Sequence, residues 1–399
     1  MVRDSGCHGW EGAAVIREAL TGPLQRSDAT LWAAVAVLAS LGLVSVYSAT
    51  LAEPPHPLLT PAALRHALIA VAGVGGMLLA ARFDYRLLRQ GSAALYLLAA
   101  ALLLLGAVVG EVEYGARRWL TVGGATFQPS ELAKLALVLA LASYASARSP
   151  RLPALLFSLA LLGGLTLPVL AQPDTGTALV LIVGWLAVVL VWGAPLRTLG
   201  GLFAALAGVM PLLYALAVPD YQRERIAVFL NPERDPLGTG YTLRQAETAL
   251  AEGGATGSGL FGGSESHLFG ILARSSDFVF ALIGEELGLI GTLSVIVLFA
   301  LVGWRGFEAA RHAPDTFGRL LACGLTALLL GQAILNMAVN VRLFPATGLP
   351  LPFISQGGTS LLATFLAVGL LQSIYAHRAV PRLPLGEPTD PDTRQASEF

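Results

Sequence analysis

QPSELAKLALVLALASY, residues 128–144, is the stretch whose reading decides the fold. From Leu135 to Ala142 it is an unbroken apolar run, preceded by Glu131 and Lys134. Lys134 is the only lysine among 25 strongly basic residues in a chain of 399. Pro129 suits the first turn of a helix, where its missing N–H costs nothing. Glu131 and Lys134 then stand three residues apart on one helix face. At the α-helical rise, Lys134 lies roughly 8 Å inside the helix entry. Charges inside an apolar helix are expensive in lipid and are candidates for function by default.

The surrounding sequence makes this helix one of many. Hydrophobic residues are 55% of the chain and charged residues 13%, with a mean hydropathy of +0.68. A soluble domain would carry about twice that charge. Apolar runs recur along the whole length, so the expected fold is all-α, a polytopic membrane protein. Ten transmembrane helices are read, at about 29–51, 63–82, 92–110, 129–147, 153–171, 175–193, 196–218, 278–304, 318–340 and 357–377. They form a membrane domain over 29–378, between a polar N-terminal tail (1–28) and a Pro- and acid-rich C-terminal tail (379–399) that is expected to be disordered. Residues 1–27 lack the apolar core of a signal peptide. The net charge of −1 argues for no nucleic-acid partner. Cys7 and Cys323 form no disulfide or metal pattern.

Arginine distribution orients the spans. Fifteen of the 25 basic residues fall on one side if the N-terminus is cytoplasmic, and five of the rest lie in the long segment 219–277. Both termini are therefore expected in the cytoplasm, with 219–277 as a large external loop between the seventh and eighth spans. Its glycines, aromatics and mixed charge suggest short helices at the membrane surface.

With that orientation, five polar clusters fall on the external side. They are YGARRWLTVGG (114–124), the QPSELAK start (128–134), QPDTGTALV (172–180), RSSDFVFALIGEELG (274–288) and FPATGLPLPFISQGGTS (344–360). Each also has a plain structural reading. Glu131–Lys134 can be an ion pair, Asp174 a helix cap, Asp277 a cap of the eighth span, and Arg117 and Arg118 headgroup contacts. Glu285 and Glu286 can be hydrogen-bonded within the bundle, and Gly357–Ser360 can be a tight helix entry. Convergence on one face favours a site at the outer leaflet, for a lipid or for a solute entering there. GSGLFG (257–262) fits the dinucleotide pattern G-x-G-x-x-G but lacks the required strand before it, and no HExxH, GxSxG or Walker A pattern is present.

Taken together, GARRWLTVGGATFQPSELAKLALVLA, QPDTGTALVL, YQRERIAVFLNPERDPLGTGY, SSDFVFALIGEELGLIG and LPLPFISQGGTSLL resemble the SEDS family (FtsW, RodA, SpoVE) in order and topology, from about residue 30 to 378. NMAVNVRLFPATGLPLPFIS (336–355) reads closer to the FtsW type. The resemblance implies a peptidoglycan glycosyltransferase of division or elongation. Such an enzyme polymerises lipid II at the outer face of the bacterial cytoplasmic membrane, beside a class B penicillin-binding protein and other divisome or elongasome proteins. It also implies roles by position. The essential loop acid falls on Asp277. The QPSExxK pair falls on Glu131 and Lys134, the QPD acid on Asp174 and the RW arginine on Arg118. Arg223 and Arg225 match the loop's arginine region, and Ser355 and Ser360 the serines of its last motif, with Thr359 between them. Gln356 stands where the family usually has Tyr, and ARSSDF lacks the common His before the acid. No cofactor is implied with certainty; Mg²⁺ or Mn²⁺ beside a pyrophosphate remains open. The rival readings are a lipid II flippase or transporter and a non-enzymatic scaffold for a transpeptidase.

Overall fold

The structure, a computed structural model, describes residues 26–51, 60–113, 116–122, 125–217, 220–262 and 276–378. The expected C-terminal tail and all but residues 26–28 of the N-terminal tail lie outside them. In chain order the helices are α1 (Ala29–Ala49), α2 (Pro61–Arg82), α3 (Leu88–Val109), α4 (Pro129–Ser146), α5 (Leu152–Ala171), α6 (Thr175–Val191), α7 (Leu196–Ala217), α8 (Asp220–Leu230), α9 (Thr239–Gly253), α10 (Val279–His312), α11 (Thr316–Asn340) and α12 (Gly358–Ala376). All but α8 and α9 coincide with the ten predicted spans. Seven of those ten are long and apolar enough to cross a membrane, while α6 and the first part of α7 are apolar but shorter.

Two elements differ from the sequence reading. The segment 114–124, expected as a loop, contributes to a three-stranded antiparallel sheet, β1 (Glu111–Glu113), β2 (Ala116–Val122) and β3 (Ala125–Phe127), in the order β1-β2-β3. Glu111 pairs with Trp119, and Leu120 with Phe127. The strands are too short for period-two alternation to stand out. The eighth span was expected to stop at residue 304, yet α10 runs on to His312. Beyond the apolar window, Arg311 and Glu308 pair at i,i+3 (3.3 Å) and carry the helix past it.

α4 begins where the sequence predicts. Gln128 is the extended N-cap, Pro129 sits in the first turn, and Glu131 follows near the positive end of the helix. The helix is buried on most of its surface and packs against α3, α5, α6, α11 and α12. A second, small core forms beside α10. Val228 of α8 and Leu243, Ala246 and Ala249 of α9 pack with Phe278, Ala281 and Val339. This core clamps the long connection onto the segment that carries Asp277.

α10 is broken at Gly288, where φ is +64°. The break would strand backbone groups inside the bundle, which lipid cannot satisfy. Residues 254–259 fill it. The amides of Ser258 and Gly259 donate to the carbonyls of Glu285 and Glu286 (both 3.0 Å). The amides of Leu289 and Ile290 donate to the carbonyls of Gly254 and Ala255 (2.9 and 3.2 Å). The first glycine of GSGLFG serves this join. Gly257 has φ +78°, and a Cβ there would lie 2.1 Å from Glu286 O. Gly257→Ala is expected to destabilise the fold by about 1–3 kcal/mol from backbone strain alone, read as earlier thermal unfolding in detergent. Gly91→Ala, whose Cβ would meet open space, is the matched control and should leave the transition in place.

Candidate active site

Asp277 stands two residues before α10 and is held through its backbone. Its carbonyl accepts from the side-chain amides of Asn336 and Asn340, both at 2.9 Å. Asn340 Oδ1 in turn accepts from the Ala281 amide in the first turn of α10 (2.9 Å). Ser355 fixes the preceding residue, donating to the Ser276 carbonyl while accepting from the Leu351 amide (2.8 Å). These contacts fix the backbone of the Asp277 segment.

The carboxyl group has lost most of its water, and that loss raises its pKa above the ordinary aspartate value. A hydrogen bond from Ser276 and the charges of Arg118 and Arg225 oppose the rise, and the charge of Asp174 adds to it. Four sequence-predicted residues, from β2, α6, α8 and the α10 entry, therefore act on one another. Asp174 caps α6, accepting from the Thr177 amide (3.0 Å) and hydroxyl (2.9 Å). Gln128 Nε2 also reaches it (3.3 Å), and Arg118 Nη1 stands 3.8 Å away. Arg118 Nε is buried and finds no hydrogen-bond acceptor among the described residues. Arg225 donates to the Ala346 carbonyl (3.0 Å). Arg223 lies half-buried on the same helix.

Glu131 and Lys134 form a separate layer, nearly inaccessible. Lys134 Nζ lies 2.7 Å from Glu131 Oε2, with side-chain exposures of 5% and 1%. It also donates to Gln332 Oε1 (2.5 Å). Gln332 passes the connection on through Nε2 to the Pro350 carbonyl (2.8 Å) and Ser360 Oγ (3.3 Å). Thr359 accepts from the Gln128 amide (3.1 Å) and joins the start of α12 to that of α4. Lys134 is thus already engaged by a carboxylate and a carboxamide beneath the ends of the helices. Glu285 and Glu286 lie further along α10, at the glycine loop, where Glu286 accepts from the Ser48 hydroxyl of α1.

Sequence reasoning missed the residues that join these layers. Gln332, Asn336 and Asn340 recur every four residues on α11, so one face of the helix presents all three. Asn336 also donates to the Leu349 carbonyl (2.7 Å). Their signal was present, as three carboxamides at helical spacing within an apolar span, but no short motif marks them.

A bundle of apolar helices with a charged cluster gathered at one end defines a multi-pass membrane protein with a site at one membrane face. A family model described as "Cell cycle protein", covering FtsW, RodA and SpoVE, matches residues 28–380, and the chain belongs to this family. It is 37% identical over 286 residues to the peptidoglycan glycosyltransferase MrdB of Escherichia coli K12, covering 71% of this chain and 77% of that protein. It is 36% identical over 365 residues to a probable peptidoglycan glycosyltransferase FtsW of Trichlorobacter lovleyi, covering 88% and 94%. Among solved structures, it resembles a chain of a peptidoglycan synthase complex that coordinates polymerization and crosslinking, with TM-score 0.75, 34% identity and coverage of 88% and 97%. It also resembles the rod shape determining protein RodA of Thermus thermophilus, with TM-score 0.66, 30% identity and coverage of 89% and 98%.

Asn340→Leu removes one donor to Asp277 O and the acceptor for the Ala281 amide while keeping the side chain's bulk. The buried groups left behind should cost about 1–3 kcal/mol, measured as a lower midpoint of thermal unfolding. An unchanged midpoint would show that the Asp277 segment is held by other contacts.

Proposed function

We infer that the chain is a peptidoglycan glycosyltransferase that polymerises lipid II, with Asp277 as its general base. The observation that carries this reading is the Asp277 carboxyl group, desolvated and under the influence of Arg118 and Arg225. A sugar hydroxyl is a weak nucleophile and needs a positioned base whose pKa has moved towards the working pH. Asp277 takes the proton from the 4-hydroxyl of the acceptor's N-acetylglucosamine. The freed oxygen pair bonds to the anomeric carbon of the N-acetylmuramic acid that ends the growing strand. The bond from that carbon to the pyrophosphate oxygen breaks, and undecaprenyl pyrophosphate leaves with the electron pair. Arg118 and Arg225, with Arg223 nearby, meet the charge that develops on the leaving group. Asp174 orients Arg118. The Glu131–Lys134–Gln332 layer holds the starts of α4 and α12 and the 349–350 segment in place, and Ser355 and Ser360 hold the segments they bond.

No group of three or more His, Cys, Asp or Glu side chains able to hold a metal ion is gathered among the described residues. A divalent cation would therefore draw ligands from the substrate's phosphates, and no step above runs through one. The arginine bias supports cytoplasmic termini, and with them an Asp277 at the outer face of the bacterial cytoplasmic membrane. Likeness to a chain of a synthase complex supports a partner that crosslinks, of the class B penicillin-binding type. Relatives of the MrdB and FtsW types match at nearly equal identity, and the chemistry is common to both. A transporter would place its polar groups near the midplane, at broken helices. Here Glu131, Asp174 and Asp277 stand at helix starts, and the break in α10 beside Glu285 and Glu286 is closed by the backbone of residues 254–259.

Asp277→Asn should lower lipid II polymerisation by the purified protein by about 10²–10⁴-fold, the usual worth of a general base, with its gel-filtration profile unchanged. Retained activity would remove the base assignment. The pH profile supplies a second check. The base must be ionised and its pKa is raised, so kcat/KM should climb with pH along a limb lying above that of a free aspartate. Arg225→Gln removes a charge that stabilises the carboxylate, so the limb should move to higher pH. A limb unmoved by that substitution would separate Arg225 from Asp277.

A further inference from the structure

The end of the bundle opposite Asp277 carries a pocket of a different kind. α4 starts beside Glu131 and ends 18 residues later at Ser146, about 27 Å away at the helical rise. Where the chain turns from α4 into α5, Tyr144, Arg148, Ser149, Arg151, Pro153 and Phe157 line a pocket of about 560 Å³. Its lining contains two guanidinium groups and no carboxylate. Elsewhere at this end Arg86, Arg305 and Arg311 each pair with an acid, Asp315, Asp28 and Glu308 respectively, while Arg82, Arg89, Arg197 and Arg319 make no ion pair among the described residues and lack the aromatic setting described below. Arg148 and Arg151 make no ion pair among the described residues. The neighbouring pocket at Arg86 and Arg89 contains Asp315 in its wall, so part of its charge is already met.

The pocket is also held in shape. The Arg148 guanidinium lies 4.3 Å from the centre of the Tyr144 ring. Tyr144 stacks on Phe157 with ring centroids 4.6 Å apart and meets Trp192 edge-on at 6.1 Å. The Trp192 indole N–H donates to the Arg148 carbonyl (2.8 Å), fixing the turn. A guanidinium stacked on a ring keeps its in-plane N–H donors free for a bidentate acceptor such as phosphate. Trp and Tyr are the side chains that settle at the headgroup level of a bilayer. Directly along α5 from the pocket, Leu152, Leu156 and Phe157 are about half exposed and form an apolar wall.

We propose that this pocket binds the phosphate headgroup of an anionic glycerophospholipid, whose acyl chains lie along the exposed face of α5. The unpaired arginines take the phosphodiester, and the aromatic residues mark the membrane depth at which it sits. A soluble anion would find the same charge but would gain nothing from the α5 wall. Occupancy ties the far end of α4 to the bilayer, and the near end of the same helix carries Glu131 and Lys134.

The test uses the full chain in phosphatidylcholine nanodiscs, titrated with fluorescent phosphatidylglycerol and read by energy transfer from tryptophan or a site-specific label. The wild-type protein should bind phosphatidylglycerol saturably and labelled phosphatidylcholine not at all. Arg148→Gln with Arg151→Gln should weaken binding about thirty-fold, the effect of two arginines at the membrane surface. Arg86→Gln, in the neighbouring pocket, should leave it unchanged. Tyr144→Leu, which keeps both charges but frees Arg148, should give an intermediate loss and guards against a charge-deleted variant that misfolds. Equal weakening by Arg86→Gln would reduce the effect to general surface charge and overturn the site. Displacement of the lipid by inorganic phosphate at similar concentration would overturn the lipid as its occupant.

Discussion

Two side-chain amides donating to one backbone carbonyl, Asn336 and Asn340 to Asp277 O, are the constraint on which the site depends. A chain that leaves regular helix within a bundle exposes N–H and C=O groups that have no water to meet, each costing several kcal/mol if left alone. Two such irregular stretches converge here, the entry to α10 and residues 341–357. α11 supplies their partners. Asn336 spans both stretches, bonding Asp277 O and Leu349 O, and Gln332 takes Pro350 O one turn further along. One face of one helix thus fixes the Asp277 segment, the loop opposite it and the start of α12.

The same ladder explains why a charged pair survives inside α4. An isolated ion pair in apolar surroundings rarely recovers the water it loses. Lys134 has a third partner in Gln332, and Gln332 is itself fixed at its other end by Pro350 and Ser360. Lysine suits this position because its compact ammonium, with three donors on a flexible stem, can meet a carboxylate and a carboxamide at an angle to one another. A planar guanidinium would demand a different cage. The single lysine of an arginine-rich chain thus connects α4 to α11.

Much of this was legible in the sequence, unevenly. The ten spans stand out because lipid demands long apolar runs, a one-dimensional signal. Glu131–Lys134 and the Asp174 cap stand out because helical spacing and helix ends are local. The sheet at 111–127 was not legible: two of its strands have only three residues and carry no period, the seven residues of β2 (ARRWLTV) do not alternate apolar with polar, and the pairing is set by neighbours. The carboxamide ladder was visible only as three polar letters within Thr316–Asn340, and nothing local says that Asn336 and Asn340 share one carbonyl, that of Asp277, 59 and 63 residues earlier in the chain. GSGLFG reads locally as a phosphate loop. It is a backbone splice for α10, because glycine's two uses, approaching a phosphate and approaching another backbone, share one pattern.

Opposed influences meet at Asp277. Desolvation disfavours the charged form of the carboxyl group and raises its pKa. Strong pairing with a guanidinium would leave it ionised but too weak to take a proton. Arg118 and Arg225 avoid that extreme because each has another claim on it, Asp174 for the first and the Ala346 carbonyl for the second. Asp174 pushes Asp277 towards protonation while drawing Arg118 aside. Asp277 thus stands under opposed influences, and neither arginine is committed to it alone.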